Sequence, residues 1–483
     1  MNLKAISRNV GYALLVSALF MFFSLLVSLF SHDGAATPLL ISFIITAVSG
    51  AFPFIFVRGT QPLTIKDGFL IIVISWLLSF IFGMLPYALW GDPFTLSNAW
   101  FESVSGFTTT GATVLSDVES LPASLLFWRS ATHYIGGLGV TVFLLLIIPA
   151  SSPIRSRMTF LELSSLSKSG YASRSGKIVF IFTYVYIGIF VLALLCYFLA
   201  GMSPLDAVCH AFSVCATGGF SSRNASILSF HSPLIEGLTM VFMLLSSIHF
   251  GLIYLSVITR SLRPLKNPVV LFYLGSIVVV SLLTGVSLRV SDTYPTLGQS
   301  MWVGTFQTIS TLSTTGFSIA DINVWPSWNK LLILAMAIMC GCAGSTTGGV
   351  KADRVFILFK TIGRQIGKIL HPNLVNEVKI GSRILKDDEV LQYVLYIAVY
   401  MLVLVTSSAL AMLLGAGGDV AVGGSLASLG NLGLAVGEIG TMGTYASVSA
   451  PVKFLFTIDM LLGRVEIYPV LATVAMIFDR HKR

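Results

Sequence analysis

The sequence predicts an all-α integral membrane protein. Four pseudo-repeats of membrane helix, re-entrant pore loop and membrane helix would surround one pore, preceded by an N-terminal two-helix hairpin. Hydrophobic residues make up 55% of the 483 residues and charged residues only 10%, whereas a soluble domain carries about 25% charged residues. Ten apolar stretches are long enough to cross about 30 Å of hydrocarbon. A short polar phrase that ends on glycine recurs four times among them.

The ten apolar stretches extend along the whole chain, and the eighth differs from the others. It is interrupted near its middle by Gly341, Gly344, Gly348 and Gly349. The first is too long for the apolar region of a signal peptide, and no small-residue cleavage site follows it, so we expect it to remain as a membrane helix. The stretches are Val10–Phe30, Leu39–Val57, Phe69–Leu89, Leu126–Pro149, Ile178–Leu199, Leu234–Ile258, Val269–Val286, Leu331–Phe359, Val390–Leu414 and Val452–Ile477.

Basic residues are concentrated in alternate loops, which is the positive-inside signature of a polytopic membrane protein. The net charge of +8 therefore does not indicate a nucleic-acid partner. If each stretch crosses once, 23 of the 29 basic residues lie on one side together with both termini, and we expect that side to be cytoplasmic. These residues are Lys4, Arg8, Arg58, Lys66, Arg155, Arg157, Lys168, Arg174, Lys177, Arg260, Arg263, Lys266, Lys351, Arg354, Lys360, Arg364, Lys368, Lys379, Arg383, Lys386, Arg480, Lys482 and Arg483.

Few residues could support enzyme chemistry or a metal site. The five cysteines lie in or beside apolar stretches, and Cys340 and Cys342 have no histidine or second cysteine pair at metal-site spacing. Acidic residues at membrane depth are scarce, and Asp459 and Glu466 are the main ones. A membrane enzyme would need a clustered nucleophile and base, paired carboxylates or a metal set. We therefore predict a transport protein, either a gated pore or, as the alternative, a secondary transporter with rocking repeats.

The recurring phrase gives the chain its internal organisation. It reads Thr109-Thr110-Gly111, then Ala216-Thr217-Gly218, then Thr314-Thr315-Gly316 and, most loosely, Asn431-Leu432-Gly433. About ten residues before each phrase are enough for a helix across half of the membrane, and Ser203-Pro204 is a suitable helix start. We divide the chain into an N-terminal hairpin, residues 1–62, and four repeats, residues 63–160, 161–264, 265–375 and 376–483.

The composition of the phrases predicts a site for a monovalent cation. Each half-membrane helix would direct its carbonyl end, which carries about half a negative charge, towards the centre of the four repeats. Glycine lets the backbone turn so that its carbonyl oxygens face the axis, and Thr110, Thr217 and Thr315 can add hydroxyl oxygens. Rings of oxygen can replace the water shell of a cation. The phrases contain no Asp or Glu, which disfavours a divalent cation, and the negative helix ends disfavour an anion.

The last crossings of the third and fourth repeats each contain one unusual feature, a glycine-rich break and a buried arginine. In Gly341–Lys351, four glycines each cost a helix about 1 kcal/mol relative to alanine, and hydroxyl side chains compete for the backbone, so we predict an unwound loop. Arg464 lies in the middle of the tenth stretch, where a charge costs at least about 2.5 kcal/mol. We expect it to face the pore. The alternative is an ion pair with Glu466, but residues i and i+2 lie on different helix faces.

Five motifs occur together in this chain: Ser105-Gly106-Phe107-Thr108-Thr109-Thr110-Gly111-Ala112, Ala216-Thr217-Gly218-Gly219-Phe220, Ser313-Thr314-Thr315-Gly316-Phe317, Gly341-Cys342-Ala343-Gly344-Ser345-Thr346 and Met460-Leu461-Leu462-Gly463-Arg464-Val465-Glu466. Together they resemble the Trk/Ktr/HKT superfamily of potassium transporters, over nearly the whole sequence. The N-terminal hairpin resembles the TrkH branch rather than the shorter Ktr subunits. Two residues depart from the superfamily pattern, because Leu434 replaces a proline after the fourth glycine and Thr347 replaces a glycine in the break.

The resemblance implies potassium uptake through a gated, channel-like pore with a selectivity filter of backbone carbonyls. Glycine at the first filter position accompanies potassium selectivity in the superfamily, whereas serine there marks sodium-selective plant members, so Gly111 favours K⁺. The alternatives are a proton- or sodium-coupled cation symporter and a sodium-permeable member of the superfamily. The implied filter residues are Thr110, Gly111, Ala112, Thr217, Gly218, Gly219, Thr315, Gly316, Phe317, Leu432, Gly433 and Leu434.

The resemblance also implies a gate, a barrier and partners. Arg464 would form a positive barrier beneath the filter and hold the gate loop by hydrogen bonds. The expected partners are a TrkA-like cytosolic ring that binds nucleotides and a second copy of this chain, in the inner membrane of a bacterium. No nucleotide-binding motif occurs in this chain, so nucleotide control would come from the ring. The implied gate-loop residues are Gly341, Cys342, Ala343, Gly344, Ser345, Thr346, Thr347, Gly348 and Gly349.

Overall fold

The structure, a computed structural model, describes residues 3–57, 64–147, 175–371, 377–381, 383–435, 437–441 and 443–479. The described chain is predominantly helical, as predicted from the sequence. Three of the predicted repeat boundaries, at residues 62/63, 160/161 and 375/376, lie outside the described residues. The same holds for eight of the basic residues used to predict orientation, namely Arg58, Arg155, Arg157, Lys168, Arg174, Arg480, Lys482 and Arg483.

The helices follow the order of the predicted stretches, with short helices between them. They are α1 Leu3–Ser31, α2 Ala36–Phe56, α3 Ile65–Gly83, α4 Leu85–Trp90, α5 Leu96–Phe107, α6 Ala123–Ile147, α7 Ser175–Leu199, α8 Pro204–Cys215, α9 Pro233–Ser247, α10 Phe250–Ile258, α11 Pro268–Val290, α12 Leu297–Leu312, α13 Ser327–Ile338, α14 Ala352–Leu370, α15 Asp387–Leu413, α16 Gly418–Gly430, α17 Ala450–Val465 and α18 Ile467–Asp479. Strand β1, Lys379–Ile380, pairs antiparallel with β2, Arg383–Ile384, between α14 and α15.

Six helical segments within the described residues are long and apolar enough to cross a membrane. They lie in α1, α2, α3 with α4, α7, α11 and α15, and the bent pair α9 and α10 makes a seventh if it is one span. The other three predicted crossings correspond to α6, to α13 with α14, and to α17 with α18. The chain is thus a multi-pass membrane protein. The four predicted crossings outside this set of six are α6, α9 with α10, α13 with α14, and α17 with α18, and all four are irregular helices.

The interruption expected in the eighth stretch is present, but other stretches are interrupted as well. The sixth bends by 102° between α9 and α10, where His249 Nδ1 accepts the Gly251 amide at 2.9 Å and begins a new helix. The tenth breaks at Glu466, whose φ of 67° and ψ of 150° end α17. Within α6, Gly139 has φ 71° and ψ 143°. The helix that follows each phrase is therefore interrupted in all four places, and the eighth stretch only carries the longest break.

The N-terminal hairpin packs through two glycines. A methyl group added to Gly11 would lie 2.6 Å from the carbonyl oxygen of Gly50, and one added to Gly50 would lie 3.0 Å from that of Gly11. Small residues at such crossings let helix backbones approach closely in a membrane. The turn of the hairpin is joined to α6, because Asp33 Oδ2 accepts the Ser124 amide at 2.9 Å. The hairpin is therefore a packed part of the molecule.

We expect Gly11→Ala to lower the midpoint of thermal unfolding in detergent, since the added methyl group overpacks the contact with Gly50 at a cost of roughly 1–3 kcal/mol. Gly188→Ala is the matched control, because nothing lies within 4 Å of its added methyl group. Equal midpoints for the two purified variants would contradict the close packing of α1 on α2.

Candidate functional site

Four short helices, α5, α8, α12 and α16, precede the four phrases, and we call them the pore helices. Side chains fix the starts of the first three. Thr95 Oγ1 accepts the Asn98 amide at 3.3 Å, Ser203 Oγ accepts the Asp206 amide at 3.2 Å, and Thr296 Oγ1 accepts the Gln299 amide at 3.2 Å. These caps satisfy amides that would otherwise lack partners at the helix start. The fourth starts at Gly417 without a side-chain cap.

Each pore helix ends in the same turn, which we call the filter turn. Its first residue has left-handed φ, 54° at Thr109, 53° at Thr217, 54° at Thr314 and 50° at Asn431. The next residue donates its amide to a carbonyl five residues earlier. These bonds are Thr110 to Ser105 (2.9 Å), Gly218 to Ser213 (2.8 Å), Thr315 to Ser310 (3.0 Å) and Leu432 to Ala427 (2.8 Å). Four segments with little sequence identity therefore share one backbone geometry.

The shared geometry corrects the predicted register of the second phrase by one residue. Gly218 occupies the position of Thr110, Thr315 and Leu432. The residue that matches Gly111 and Gly316 is Gly219, because their φ values are 80°, 83° and 82° for Gly111, Gly219 and Gly316. Gly433 aligns with them but lies outside the left-handed region. The phenylalanines at 220 and 317, each directly after a glycine, are the sequence signal that gives the correct alignment.

The four filter turns close into a ring, because each glycine is pressed against the backbone of the next segment. Added methyl carbons would lie 2.0–3.1 Å from backbone atoms of the neighbouring segment. In order around the ring, the contacts are Gly111 with Gly218 (2.1 Å), Gly219 with Thr315 (2.0 Å), Gly316 with Gly433 (3.1 Å) and Gly433 with Thr110 (3.0 Å). Residues distant in sequence thus surround one centre, with a carbonyl oxygen at three junctions and the Gly433 amide nitrogen at the fourth.

Cavities lie on both sides of the ring. One, of about 160 Å³, is lined by residues that follow the turns and by the aligned glycines Gly111, Gly219, Gly316 and Gly433. The other, of about 110 Å³, is lined by residues from the interrupted helices after each phrase, among them Gly137, Phe250, Thr346 and Arg464. The ring therefore separates two spaces that can hold water.

The segment Gly341–Lys351 is non-helical, as predicted, and reaches the underside of the ring. Thr346 Oγ1 accepts from Thr217 Oγ1 at 3.3 Å and donates to the carbonyl of Cys215 at 3.2 Å. The ends of the segment are held together, because the Cys340 amide donates to the Val350 carbonyl at 2.9 Å. The segment is thus a closed loop directly beneath the second filter turn.

The loop is fixed by backbone bonds to the break between α9 and α10. The Cys342 amide donates to the Ser247 carbonyl at 2.9 Å, and the Phe250 amide donates to the Gly344 carbonyl at 3.0 Å. Two interrupted helices therefore satisfy each other's free backbone groups, which is the condition for irregular backbone inside a membrane. Thr347, the departure from the superfamily pattern, bonds with the Ser345 hydroxyl at 2.8 Å.

Arg464 joins the loop to the first repeat. Its guanidinium donates to the carbonyl of Thr346 at 2.6 Å and to those of Gly136 and Gly137 at 2.6 Å and 3.1 Å. Glu466, the alternative partner predicted for Arg464, instead pairs with Arg354 at 2.8 Å. Arg354 also lies over the Tyr396 ring, 3.6 Å from its centre. The start of α14, directly after the loop, is thereby tied to the break of the fourth repeat.

The arrangement offers backbone oxygen rather than acids to a ligand. Within the described residues, no group of three or more His, Cys, Asp or Glu side chains could hold a metal ion. The pore helices end at the ring, and helix ends carry about half a negative charge. Carbonyl oxygens around one centre can replace the water shell of a monovalent cation.

Comparison with known proteins agrees with this geometry. The TrkH family, described as cation transport protein, matches residues 38–482. The chain belongs to this TrkH family. Because it is a family of membrane cation transporters, the chain is a transport protein and not an enzyme.

Curated relatives and a solved structure extend this likeness over the full length. The chain is 33% identical to the Trk system potassium uptake protein TrkH of Halomonas elongata, over 99% of this chain and 100% of that protein. It is 31% identical to the Trk system potassium uptake protein TrkG of Escherichia coli, over 99% of both. The crystal structure of the potassium transporter TrkH from Vibrio parahaemolyticus superposes with a TM-score of 0.87 at 30% identity, over 98% of both chains.

We expect Glu466→Gln to lower the midpoint of thermal unfolding in detergent. The change leaves Arg354, 6% exposed, with an uncompensated charge, and breaking a buried pair costs roughly 3 kcal/mol. Asp387→Asn is the control, because this carboxylate pairs with Arg364 but is 79% exposed, so its removal has little effect. A Glu466→Gln midpoint no lower than that of the control would contradict the structural role of the buried pair.

Proposed function

We propose that this TrkH-family protein takes up potassium through a gated pore in the bacterial inner membrane. The observation that carries the proposal is the ring of four filter turns, closed through glycines and placed between two cavities. The names of the relatives support potassium as the transported ion. K⁺ is here the cargo, and the filter supplies its oxygen ligands.

The filter consists, in this proposal, of the backbone around the four aligned glycines. The carbonyls of Thr110, Gly218 and Thr315 occupy equivalent positions and lie at the junctions of the ring. Leu432 takes this position in the fourth segment. K⁺ would exchange its water shell for these oxygens, while the dipoles of the pore helices favour positive charge at the centre. The remaining residues implied by the resemblance, Ala112, Phe317 and Leu434 among them, flank the same turns.

The loop Gly341–Lys351 acts as the gate and Arg464 as the barrier. The loop lies against Cys215 and Thr217, the latter the first residue of the second filter turn, and is held there by Arg464. A positive charge in the cavity beneath the filter repels a leaving cation. Opening would require the loop to give up its contacts with Thr217 and Arg464. The exposed apolar residues of α14, which follows the loop, include Phe359, Ile362 and Ile366.

We also retain the predicted division into four repeats, cytoplasmic termini, a homodimer and a TrkA-like cytosolic ring that binds nucleotides. The matching filter turns support the repeats, because each follows a pore helix and precedes an interrupted helix. The homodimer and the cytosolic ring are proposed from the resemblance to the superfamily. In this scheme the cytosolic TrkA-like ring acts on the gate through α14. The basic residues Lys360, Arg364 and Lys368 of α14 are part of the positive-inside pattern.

We expect Gly111→Ser to reduce the ratio of potassium to sodium flux into proteoliposomes by about tenfold. Serine at a φ of 80° is strained by roughly 1–3 kcal/mol, and its Cβ would lie 2.1 Å from the Gly218 carbonyl oxygen. Gly201→Ser is the control, because it also replaces a left-handed glycine but has nothing within 4 Å. An unchanged ratio in Gly111→Ser, with potassium flux intact, would rule out this filter.

The same assay separates the alternative transport modes. A passive pore moves K⁺ down its own gradient without an imposed proton or sodium gradient. Flux that requires either gradient would indicate a coupled symporter, and sodium flux equal to potassium flux would indicate a sodium-permeable member. If the chain alone gives no flux, addition of the TrkA-like cytosolic ring distinguishes a closed pore from an inactive protein.

We expect Arg464→Ala to increase potassium flux by roughly tenfold, because it removes the cavity charge and the bond to the Thr346 carbonyl. Arg289→Ala is the matched control, since Arg289 is 42% exposed and pairs with Asp292 on the surface. Potassium flux in Arg464→Ala that stays at the level of the control would show that Arg464 is no barrier.

A further inference from the structure

The same position of each pore helix, nine residues before the aligned glycine, faces the backbone that leaves the filter turn. Glu102, His210 and Gln307 occupy this position in the first three segments, and Gly424 occupies it in the fourth. All three polar side chains are fully buried. Buried polar groups need hydrogen-bond partners. The partners of these three side chains show the structural role of this position.

The partner is in each case a hydroxyl residue two positions after the aligned glycine. Glu102 also accepts the Val114 amide at 3.0 Å, and Gln307 also donates to the Ala320 carbonyl at 2.8 Å. The side-chain pairs are Glu102 with Thr113 (3.0 Å), His210 with Ser221 (2.9 Å) and Gln307 with Ser318 (2.7 Å). A polar residue in the pore helix therefore fixes the outer limb of its own filter segment, where the outer limb is the backbone after the glycine.

The fourth segment uses packing in place of a polar pair. A methyl group on Gly424 would lie 2.5 Å from the Phe456 ring and 3.2 Å from Ile439. The residue two positions after Gly433 is Ala435, which offers no hydroxyl. A polar pair thus fixes the outer limb in three segments, and an apolar contact takes its place in the fourth.

Glu102 differs from the other two because it is part of a buried ion pair. Arg129 Nε lies 2.5 Å from Glu102 Oε1. The same guanidinium donates to the Ser221 carbonyl at 2.9 Å and lies 3.5 Å from the centre of the Phe220 ring. His133 stacks on the Phe220 ring with centroids 4.1 Å apart. The pair therefore connects the outer limb of the first segment to that of the second.

The connection crosses the junction at which Gly111 is pressed against Gly218. The first limb is bonded onward to the fourth segment, because the Tyr445 amide donates to the Thr113 carbonyl at 2.8 Å. A shift of Glu102 would thus be transmitted to three of the four segments. Loss of its charge would also leave Arg129 as an unbalanced positive charge behind the ring.

We propose that Glu102, paired with Arg129, is a specificity-determining positioning residue that fixes the outer limbs of the first two filter segments and thereby the spacing of the filter carbonyls. The inference rests on the proposed potassium filter. It assigns to the ion pair a role in the choice between K⁺ and Na⁺. His210 and Gln307 occupy the position of Glu102 in the second and third segments.

The test is the ratio of potassium to sodium flux in proteoliposomes that hold purified full-length Glu102→Gln. Glutamine keeps the shape and one of the two acceptor oxygens but removes the charge that holds Arg129, so the ratio should fall by about tenfold. Glu119→Gln is the matched control, because Glu119 is 43% exposed in the outer loop and lies 3.9 Å from Arg223. The control should keep the wild-type ratio.

Thr113→Val keeps the test decisive if Glu102→Gln does not fold. Valine has the shape of threonine and leaves the ion pair intact, but it removes the hydroxyl that donates to Glu102, so the ratio should fall by a smaller factor. Wild-type ratios in every folded variant would overturn the role of Glu102. A wild-type protein that does not prefer potassium would instead refute the proposed filter, so the two failures are distinguishable.

Discussion

The structure depends on the contact between each filter turn and the backbone of the next. At two of the four junctions an added methyl carbon would lie about 2 Å from a carbonyl oxygen, so no side chain fits there. The turns can form only because the pore helices stop at equivalent points and the next residue adopts a left-handed conformation. Close packing of the turns and the position of three carbonyl oxygens at the junctions are therefore consequences of the same geometry.

The interruptions in the helices after the filter turns are linked through the loop Gly341–Lys351, which lies beneath the ring. A continuous helix in the third repeat would leave no loop to reach Thr217. The loop that results has free backbone groups, and these are satisfied by the break between α9 and α10 and by Arg464. A membrane interior provides no water for such groups, so the breaks in different repeats depend on one another. In the proposed mechanism, the contacts of the loop with Thr217 and Arg464 are those that would separate when the gate opens.

Much of this architecture could be predicted from local sequence. Hydropathy located the helices, and Ser203-Pro204 and Gly341–Lys351 marked a pore-helix start and the loop. The register of the second phrase could not be read from its first glycine, because Gly218 and Gly219 both fit the pattern and only the backbone turn distinguishes them. The breaks at Gly139, His249 and Glu466 were missed because each depends on one residue within an otherwise apolar run. The partners of Glu102 and Arg464 are distant in sequence, so tertiary packing alone reveals them.

Uptake of K⁺ as proposed requires the four filter turns to bind a monovalent cation. Anomalous diffraction from crystals in which Tl⁺ replaces K⁺ tests it directly. We expect a peak at the centre of the ring, among the carbonyl oxygens of Thr110, Gly218, Thr315 and Leu432. Bound Tl⁺ elsewhere in the protein with an empty ring would contradict it.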